Sequence, residues 1–432
     1  MAEYRRAFHQ PDPAGVDRWA IQGGDYRRYL PDRLAGAPLV LSAETRSLLA
    51  DVTESVARLG NAFEATPFPA LYATLLRSES IASSRIEGVR EDPSRVLMAG
   101  LDEDLVAENS AAVLINRNVD AVRSAVEHLA TMATWSVGDV DALHSTLLPH
   151  ERPGFRRGLV WIGGSSPVRA AYVAPLPEHV PALMEDLVAY LETSTDPVLV
   201  KAALSHAQLE TIHPWSDGNG RSGRALIQAV LGRSGIVRGG VLPISVVLGH
   251  RDSGYVRALN AYRYDPREGG NAVAARESFV RFFLGATRDA VTVASDLLDQ
   301  VGAVAASWAE RTKGVRAHSA QRRLLALLAD RPVLTVTYAR KHIRYVDRRG
   351  EERPYSRVAI GNALAELERR GIVRRVAVRD RGSVVFAAQE IVDLLLLSER
   401  RLGSDLLDTV AAPLRPAARR RTPPLPDHLR PQ

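Results

Sequence analysis

The sequence predicts a mainly α-helical protein. Its helical core carries one small β-hairpin flap and is followed by a smaller, basic C-terminal unit. Three observations carry this reading. Apolar residues recur every three to four positions in segment after segment, as at Leu48, Leu49, Val52, Val56 and Leu59. That period breaks at 153–177, where Gly154, Gly158, Gly163 and Gly164 surround Leu159-Val160-Trp161-Ile162 and precede Ala171-Tyr172-Val173, the pattern of a hairpin. Charge then changes. Residues 317–386 hold 16 Lys/Arg against 7 Asp/Glu, a net of +9, and 387–432 add +1, so a chain of +6 overall leaves −4 for 1–316.

A chain of 432 residues has room for two or three domains and a sizeable core. The absence of cysteine excludes disulfides, thiolate catalysis and cysteine-ligated zinc. Nowhere do eighteen apolar residues follow one another, and residues 1–13 hold Arg5, Arg6 and His9 but no apolar run. The expectation is a cytoplasmic protein with no membrane partner. The basicity belongs to the C-terminal unit, so the pI of 9.7 says little about the front of the chain.

The elements follow in order. After loop punctuation at Gly23, Gly24, Pro31 and Pro38, a helix is expected over 42–59 and a second over 69–87, ending at Gly88. Further helices are expected over 109–132 and, after a Ser136 cap, over 140–148; His144 on the latter reads as a core or supporting residue. Helices over 179–193 and 198–211 lead into a loop, and helices carrying Tyr255 and spanning 276–297 close the core. The expected domains are an N-terminal helical region, 1–108, a helical core, 109–298, a linker, 299–316, the basic unit, 317–397, and a flexible tail, 398–432.

The loop is the chemically dense stretch. Residues 212–226 read I-H-P-W-S-D-G-N-G-R-S-G-R-A-L. Pro214 and the Gly218-Asn219-Gly220 run forbid a continuous helix, and a new apolar period resumes at Arg221. A helix starting near Gly220 points unpaired N–H groups into the loop, an anion cradle to which Gly218, Asn219 and Gly220 contribute. Arg221 and Arg224 leave the first turn on neighbouring faces, ready to hold separate phosphate oxygens. Asp217 offers one hard oxygen, which suits Mg²⁺ when a nucleotide completes the shell. His213 is placed to take a proton from an attacking hydroxyl. Gly218, Gly220 and Gly223 also spell the dinucleotide fingerprint, but His-Pro-Trp-Ser-Asp is not the buried strand that motif requires.

His213-Pro214-Trp215-Ser216-Asp217-Gly218-Asn219-Gly220-Arg221-Ser222-Gly223-Arg224 resembles the H-x-F-x-(D/E)-G-N-G-R-x-x-R signature of Fic-domain enzymes, which transfer AMP from ATP to protein hydroxyls. Trp215 stands for the usual phenylalanine. The related Doc phosphotransferases carry lysine at the position of Gly220, so this chain resembles the AMP-transferring branch. Upstream, Ser83-Ser84-Arg85-Ile86-Glu87-Gly88 resembles the (S/T)-x-x-x-E-(G/N) inhibitory motif of many such enzymes. The resemblance implies that Glu87 pairs with Arg224 and blocks a productive ATP pose, with Ser83 and Gly88 completing the motif. It also implies that the hairpin aligns an extended target segment and that Tyr255 borders the nucleotide, although the second tyrosine common there is Val256. Tyr172 on the hairpin is a candidate for self-modification.

In the basic unit, helices are expected after Ser319, near 337–343 and after Ser356, followed by a two-stranded ribbon over 372–378 and 383–386. This order resembles a winged helix-turn-helix, apart from a long insert at 344–355. Its charge suits DNA, although winged helices also dock proteins. The resemblance as a whole implies a protein adenylyltransferase using ATP and Mg²⁺, autoinhibited by Glu87, with a protein bearing an exposed Ser, Thr or Tyr hydroxyl as target. DNA and a second copy of the chain are further candidate partners. Two rivals stay open: a nucleotide-sensing winged-helix transcription regulator, and a hydrolase that uses Glu87 to remove AMP.

Overall fold

The computed structural model describes residues 2–13, 18–65, 69–101, 110–377 and 384–395. The chain opens on an antiparallel hairpin, β1 (Glu3–His9) against β2 (Gly24–Leu30), with a short helix α1 (Arg18–Gln22) between them. The expected N-terminal helical region thus begins with a strand pair that the sequence reading did not anticipate, ahead of its helices. The hairpin has no apolar face to betray it. It is held by Tyr4 packed on Tyr29 at 4.8 Å, by Arg27 over the Tyr4 ring at 4.5 Å, and by an ion pair from Arg27 to Asp265.

Helices then dominate: α2 (Ala43–Ala65), α3 (Pro69–Ile86), α4 (Pro93–Ala99), α5 (Ala111–Glu127) and α6 (Val137–Leu147). Their ends are fixed locally. Ser136 and Asp139 form a reciprocal capping box at the start of α6. Gly88, at φ 80°, turns the chain off the end of α3 and lets Val89 N–H donate to the Ser84 carbonyl. A two-residue-per-strand hairpin, β3 (Trp161–Ile162) with β4 (Tyr172–Val173), follows. Next come α7 (Val180–Thr193), α8 (Val198–Ile212), α9 (Asn219–Arg233), α10 (Ile244–His250), α11 (Asp252–Tyr262) and α12 (Ala272–Arg311).

Helix α8 is buried on every side from Ala202 to Ile212 and forms the axis of the core, packed by α7, α9 and α12. Helix α3 is buried almost as fully, although it carries Ser78, Glu79, Ser80, Ser83 and Ser84. Glu79 shows why such a polar helix can sit inside. Its carboxylate accepts from the Ser245 N–H at 2.8 Å and the Ser245 hydroxyl at 2.6 Å.

Helix α12 runs fifteen residues beyond Asp296, so much of the segment expected as a linker, 299–316, is helical. Val301 and Trp308 are buried on it, and Trp308 Nε1–H donates to Glu390 at 2.8 Å. Beyond it lie α13 (Ala320–Asp330), β5 (Val333–Thr335), α14 (Val336–His342), β6 (Arg344–Val346), β7 (Glu352–Pro354), α15 (Arg357–Arg369), β8 (Arg374–Ala377) and β9 (Val384–Ala387). Strands pair in the order β5-β9-β8, and β6-β7 is a separate hairpin inserted between α14 and α15. The connection between the two expected ribbon strands and the tail expected at 398–432 lie outside the described residues. This unit is docked on the front of the chain: α13 packs on α3, Leu97 of α4 joins Val333, Val385 and Ala387, and Arg331 donates to the Gly100 carbonyl at 2.7 Å.

Candidate functional site

Helix α8 stops at a strained turn. His213, at φ 52° and ψ 62°, is the left-handed cap and the sole non-glycine with positive φ among the described residues, a conformation costing roughly 1–2 kcal/mol. Pro214 bars any continuation of the helix. Arg156, buried and remote in sequence, holds the strained backbone in place. Its Nε donates to the His213 carbonyl at 2.7 Å, Nη1 to Gly158 at 2.9 Å and Nη2 to Pro175 at 2.6 Å, while its backbone N–H reaches the Pro214 carbonyl at 2.9 Å. One guanidinium thus fixes the histidine turn and ties it to both ends of the β3-β4 region. Burial lowers the Arg156 pKa to about 10, still charged at neutral pH.

The loop after His213 is closed by its own side chains. Trp215 N–H donates to Asn219 Oδ1 and Asn219 Nδ2 donates back to the Trp215 carbonyl, both at 2.9 Å. The Trp215 indole N–H donates to Asp141 at 2.8 Å, a bond that phenylalanine lacks. His144 stacks on the indole at 4.3 Å, and its Nε2–H donates to the Asp217 carbonyl at 3.0 Å. His144 is therefore a brace for the loop. Gly218, at φ 78°, makes the final bend, and α9 begins at Asn219. The Asn219 amide is spent on this closure, so its contribution to an anion is its backbone N–H.

Seen from the bend, α9 presents its first turn to Glu87. Arg224 is buried and donates from Nε to the Ser83 hydroxyl at 2.9 Å and from Nη2 to both the Ser83 carbonyl and Glu87 Oε1 at 2.8 Å. A methyl group on Gly220 would collide with the same Glu87 oxygen. The carboxylate therefore lies over the helix N-terminus, against Gly220 and Arg224 together, where an anion is stabilised by unpaired N–H groups. Gly88 lets the chain turn away directly after it. Arg221 pairs with Asp217 at 3.1 Å, and Asp217, with its side chain 62% exposed, also accepts from the Gly218 N–H. Arg221 Nε and the Ser222 hydroxyl are buried without a hydrogen-bond partner, so hydrogen-bonding capacity remains unspent here.

The electrostatics suit proton acceptance. Burial, with the Arg263 charge beside it, lowers the His213 pKa to about 4, so the ring is neutral near pH 7. Nδ1 lies 3.4 Å from the Glu210 carbonyl, which places the proton on Nδ1 and leaves Nε2 as an acceptor. Tyr255 is buried, with its hydroxyl 2.7 Å from His206 Nε2 and its ring stacked on that imidazole. Its hydroxyl also interacts with the Arg224 guanidinium, and Val256 is exposed.

Tyr172 is a correction. Its ring is buried beneath Arg263 at 3.6 Å and its hydroxyl donates to the Thr211 carbonyl, so it has no free oxygen to be modified. Sequence reasoning also passed over Arg156, Asp141, Glu210 and Arg263. Each acts on the loop from 40 or more positions away or from within a buried helix, and only Glu210 left a trace, at one helical turn before His213.

The arrangement defines a helical protein with a glycine-lined anion cradle at a helix N-terminus, a neutral histidine beside it and a carboxylate from the same chain seated in it. Residues 134–231, from the entrance of α6 to α9, match the Fic/DOC family. Curated relatives include a "Protein adenylyltransferase Fic" from Drosophila ananassae, 28% identical over 44% of this chain and 37% of its own length, and one from Aedes aegypti, 29% identical over 42% and 32%. The chain spans about a third of the length of these relatives. Among solved structures, a Fic family protein from Desulfovibrio desulfuricans aligns with a TM-score of 0.49 at 22% identity, over 81% of this chain and 97% of that one. Residues 134–231 are thus similar in sequence to the Fic/DOC family, and the chain is similar at moderate identity to proteins named as adenylyltransferases. No helix among the described residues is long and apolar enough to cross a membrane.

Proposed function

We propose that this chain is a cytoplasmic protein adenylyltransferase that moves AMP from ATP to a Ser, Thr or Tyr hydroxyl of a protein and is held in check by Glu87. The observation that carries the reading is the position of Glu87 Oε1, pressed against Gly220 and hydrogen-bonded to Arg224. A site that accepts the chain's own carboxylate at a helix N-terminus is built for an anion, and the outer phosphates of ATP are the anion for which the two arginines are spaced.

The hydroxyl oxygen attacks the α-phosphorus as the bond to the β-phosphate oxygen breaks. His213 Nε2 takes the hydroxyl proton and pyrophosphate departs. The Gly218, Asn219 and Gly220 backbone and Arg221 orient the phosphates, while Arg224 grips the outer phosphate once Glu87 has left. Asp217 would hold Mg²⁺. No group of three or more His, Asp or Glu that could hold a metal stands together among the described residues, and a single exposed carboxylate fits an ion held chiefly by phosphate oxygens. Such an ion neutralises phosphate charge when bound.

The deciding experiment uses ATP labelled at either the α or the γ phosphorus, with wild type and Glu87→Gly. The proposal expects α-label on protein and none from γ. Transfer of γ-label would mean phosphorylation. Loss of label from a pre-modified target, dependent on Glu87, would favour the hydrolase.

A second activity rests on a separate observation. Arg340, Lys341, Arg344, Arg348, Arg349 and Arg357 are exposed and form no ion pair among the described residues, and they flank the β6-β7 hairpin and the start of α15. We read the C-terminal unit as a winged helix whose unpaired cations contact duplex DNA. No label transfer by any variant, together with tight duplex binding, would favour the nucleotide-sensing regulator.

A further inference from the structure

Glu210 is the buried group that the reaction above leaves unused. It lies on α8 one helical turn before His213, only 5% exposed, and its Oε1 has no hydrogen-bond partner. Its backbone carbonyl is occupied, accepting from His213 Nδ1 and from Arg263 Nη2 at 3.0 Å. Its carboxylate interacts electrostatically with Glu87 from α3, Arg224 from α9 and Arg263 beyond α11, and it bears on the hydroxyls of Tyr255 and Tyr172. A carboxylate so placed has an oxygen with no donor and lies in the field of the same buried guanidinium that Glu87 engages.

We propose that Glu210 is a positioning residue of the anion site, a standing rival for Arg224 whose ionisation loosens the Glu87–Arg224 pair and whose protonation tightens it. When Glu87 leaves, Arg224 would otherwise be a buried cation facing only the neutral Ser83 and Tyr255 hydroxyls. An ionised Glu210 supplies the missing countercharge, which lowers the cost of opening the site. When Glu210 is neutral, that help is gone and so is its repulsion of Glu87. The inference rests on Glu87 being inhibitory and adds the device that sets how strongly it inhibits.

The sign follows from the titration. Burial first, and the nearby Glu87 charge second, raise the Glu210 pKa to about 7, against the pull of Arg224 and Arg263. Inhibition is therefore strongest below neutrality and relaxes as pH rises through that value. The neighbours do not titrate there: burial holds His206 at about 3 and His213 at about 4, and raises both tyrosines well above their usual range. Glu79 does, since burial also raises it to about 7 and it too feels Arg224.

The test is the ratio of AMP transfer by Glu87→Gly to that by wild type. The expected ratio falls about tenfold between about pH 6 and about pH 8, in the range of couplings between neighbouring buried groups. Glu210→Gln should hold the ratio at its low-pH value throughout, Glu210→Asp should restore the pH dependence, and Glu79→Gln should leave it in place. A ratio that is flat in wild type, or that changes identically in Glu210→Gln, overturns the proposal. A thermal readout keeps it separable from the catalytic reading. A carboxyl raised on folding stabilises at low pH and loses that contribution as pH rises, so Glu210→Gln should gain in Tm relative to wild type between about pH 5 and about pH 8. If no variant transfers AMP, adenylyl transfer fails while this profile still decides Glu210, and parallel Tm curves would overturn its assigned ionisation.

Discussion

Two regions of this molecule handle positive charge in opposite ways. At the start of α9, Arg221 and Arg224 are buried and each is engaged by a carboxylate of the same chain. On the C-terminal unit, the cations around β6-β7 and the start of α15 are exposed and mostly without ion-pair partners, Arg353 excepted, which pairs with Asp347 and Glu351. Buried, paired arginines fix one anion in one geometry, at the expense of desolvation that the partner must offset. Exposed, unpaired ones act through a screened field that tolerates many arrangements. On the proposed function, the difference separates a site for chemistry from a surface for docking.

The comparison breaks most sharply at His213. In a Glu87→Gly background, His213→Ala should lower α-label transfer by about 10² to 10⁴, the usual worth of a positioned base, with duplex binding unchanged; transfer that survives the substitution removes His213 from its assigned role. Glu87→Gly alone should raise transfer by roughly 10- to 100-fold, equivalent to about 1.4–3 kcal/mol of competition for the cradle. Measured initial rates equal to wild type would mean that the carboxylate is not a competitor.

Arg156→Lys comes next. A lysine keeps the charge but cannot reach three carbonyls at fixed angles, so Tm should fall with the loss of about 2 kcal/mol and transfer should drop with it. A calorimetric scan matching wild type would show the histidine turn to be self-supporting. The smallest effect is expected on the docking surface. Arg348→Ala with Arg349→Ala should weaken duplex binding by a few fold and reduce the slope of log affinity against log salt by about 1 for each phosphate no longer neutralised, leaving label transfer alone. An unchanged slope would exclude those two side chains from the DNA-binding surface.

How much could be read in advance depended on where the determining information lies. The helices were legible because their apolar spacing is local, as at Val52, Val56 and Leu59, and the end of α3 was legible because Gly88 marks it. The Glu87–Arg224 contact, 2.8 Å across 137 positions, was anticipated through two motifs rather than through any local rule. The N-terminal hairpin was not legible, since Glu3–His9 alternates no apolar face and its stability comes from Tyr29, Arg27 and Asp265. The extension of α12 did leave a signal, Val301, Val304 and Trp308 at spacings of three and four, which the expectation of a linker passed over. Arg156 left none, because its partners are carbonyl oxygens that carry no residue identity.

The central claim is that the glycine-lined start of α9 is a phosphate site which Glu87 occupies in the resting chain. A crystal structure of Glu87→Gly with Mg²⁺ and a non-hydrolysable ATP analogue tests it most directly. The account predicts an outer phosphate about 3 Å from the Arg224 guanidinium and the Gly220 N–H, with the α-phosphorus facing His213 Nε2. An analogue bound elsewhere, with this bend empty or closed, would contradict it.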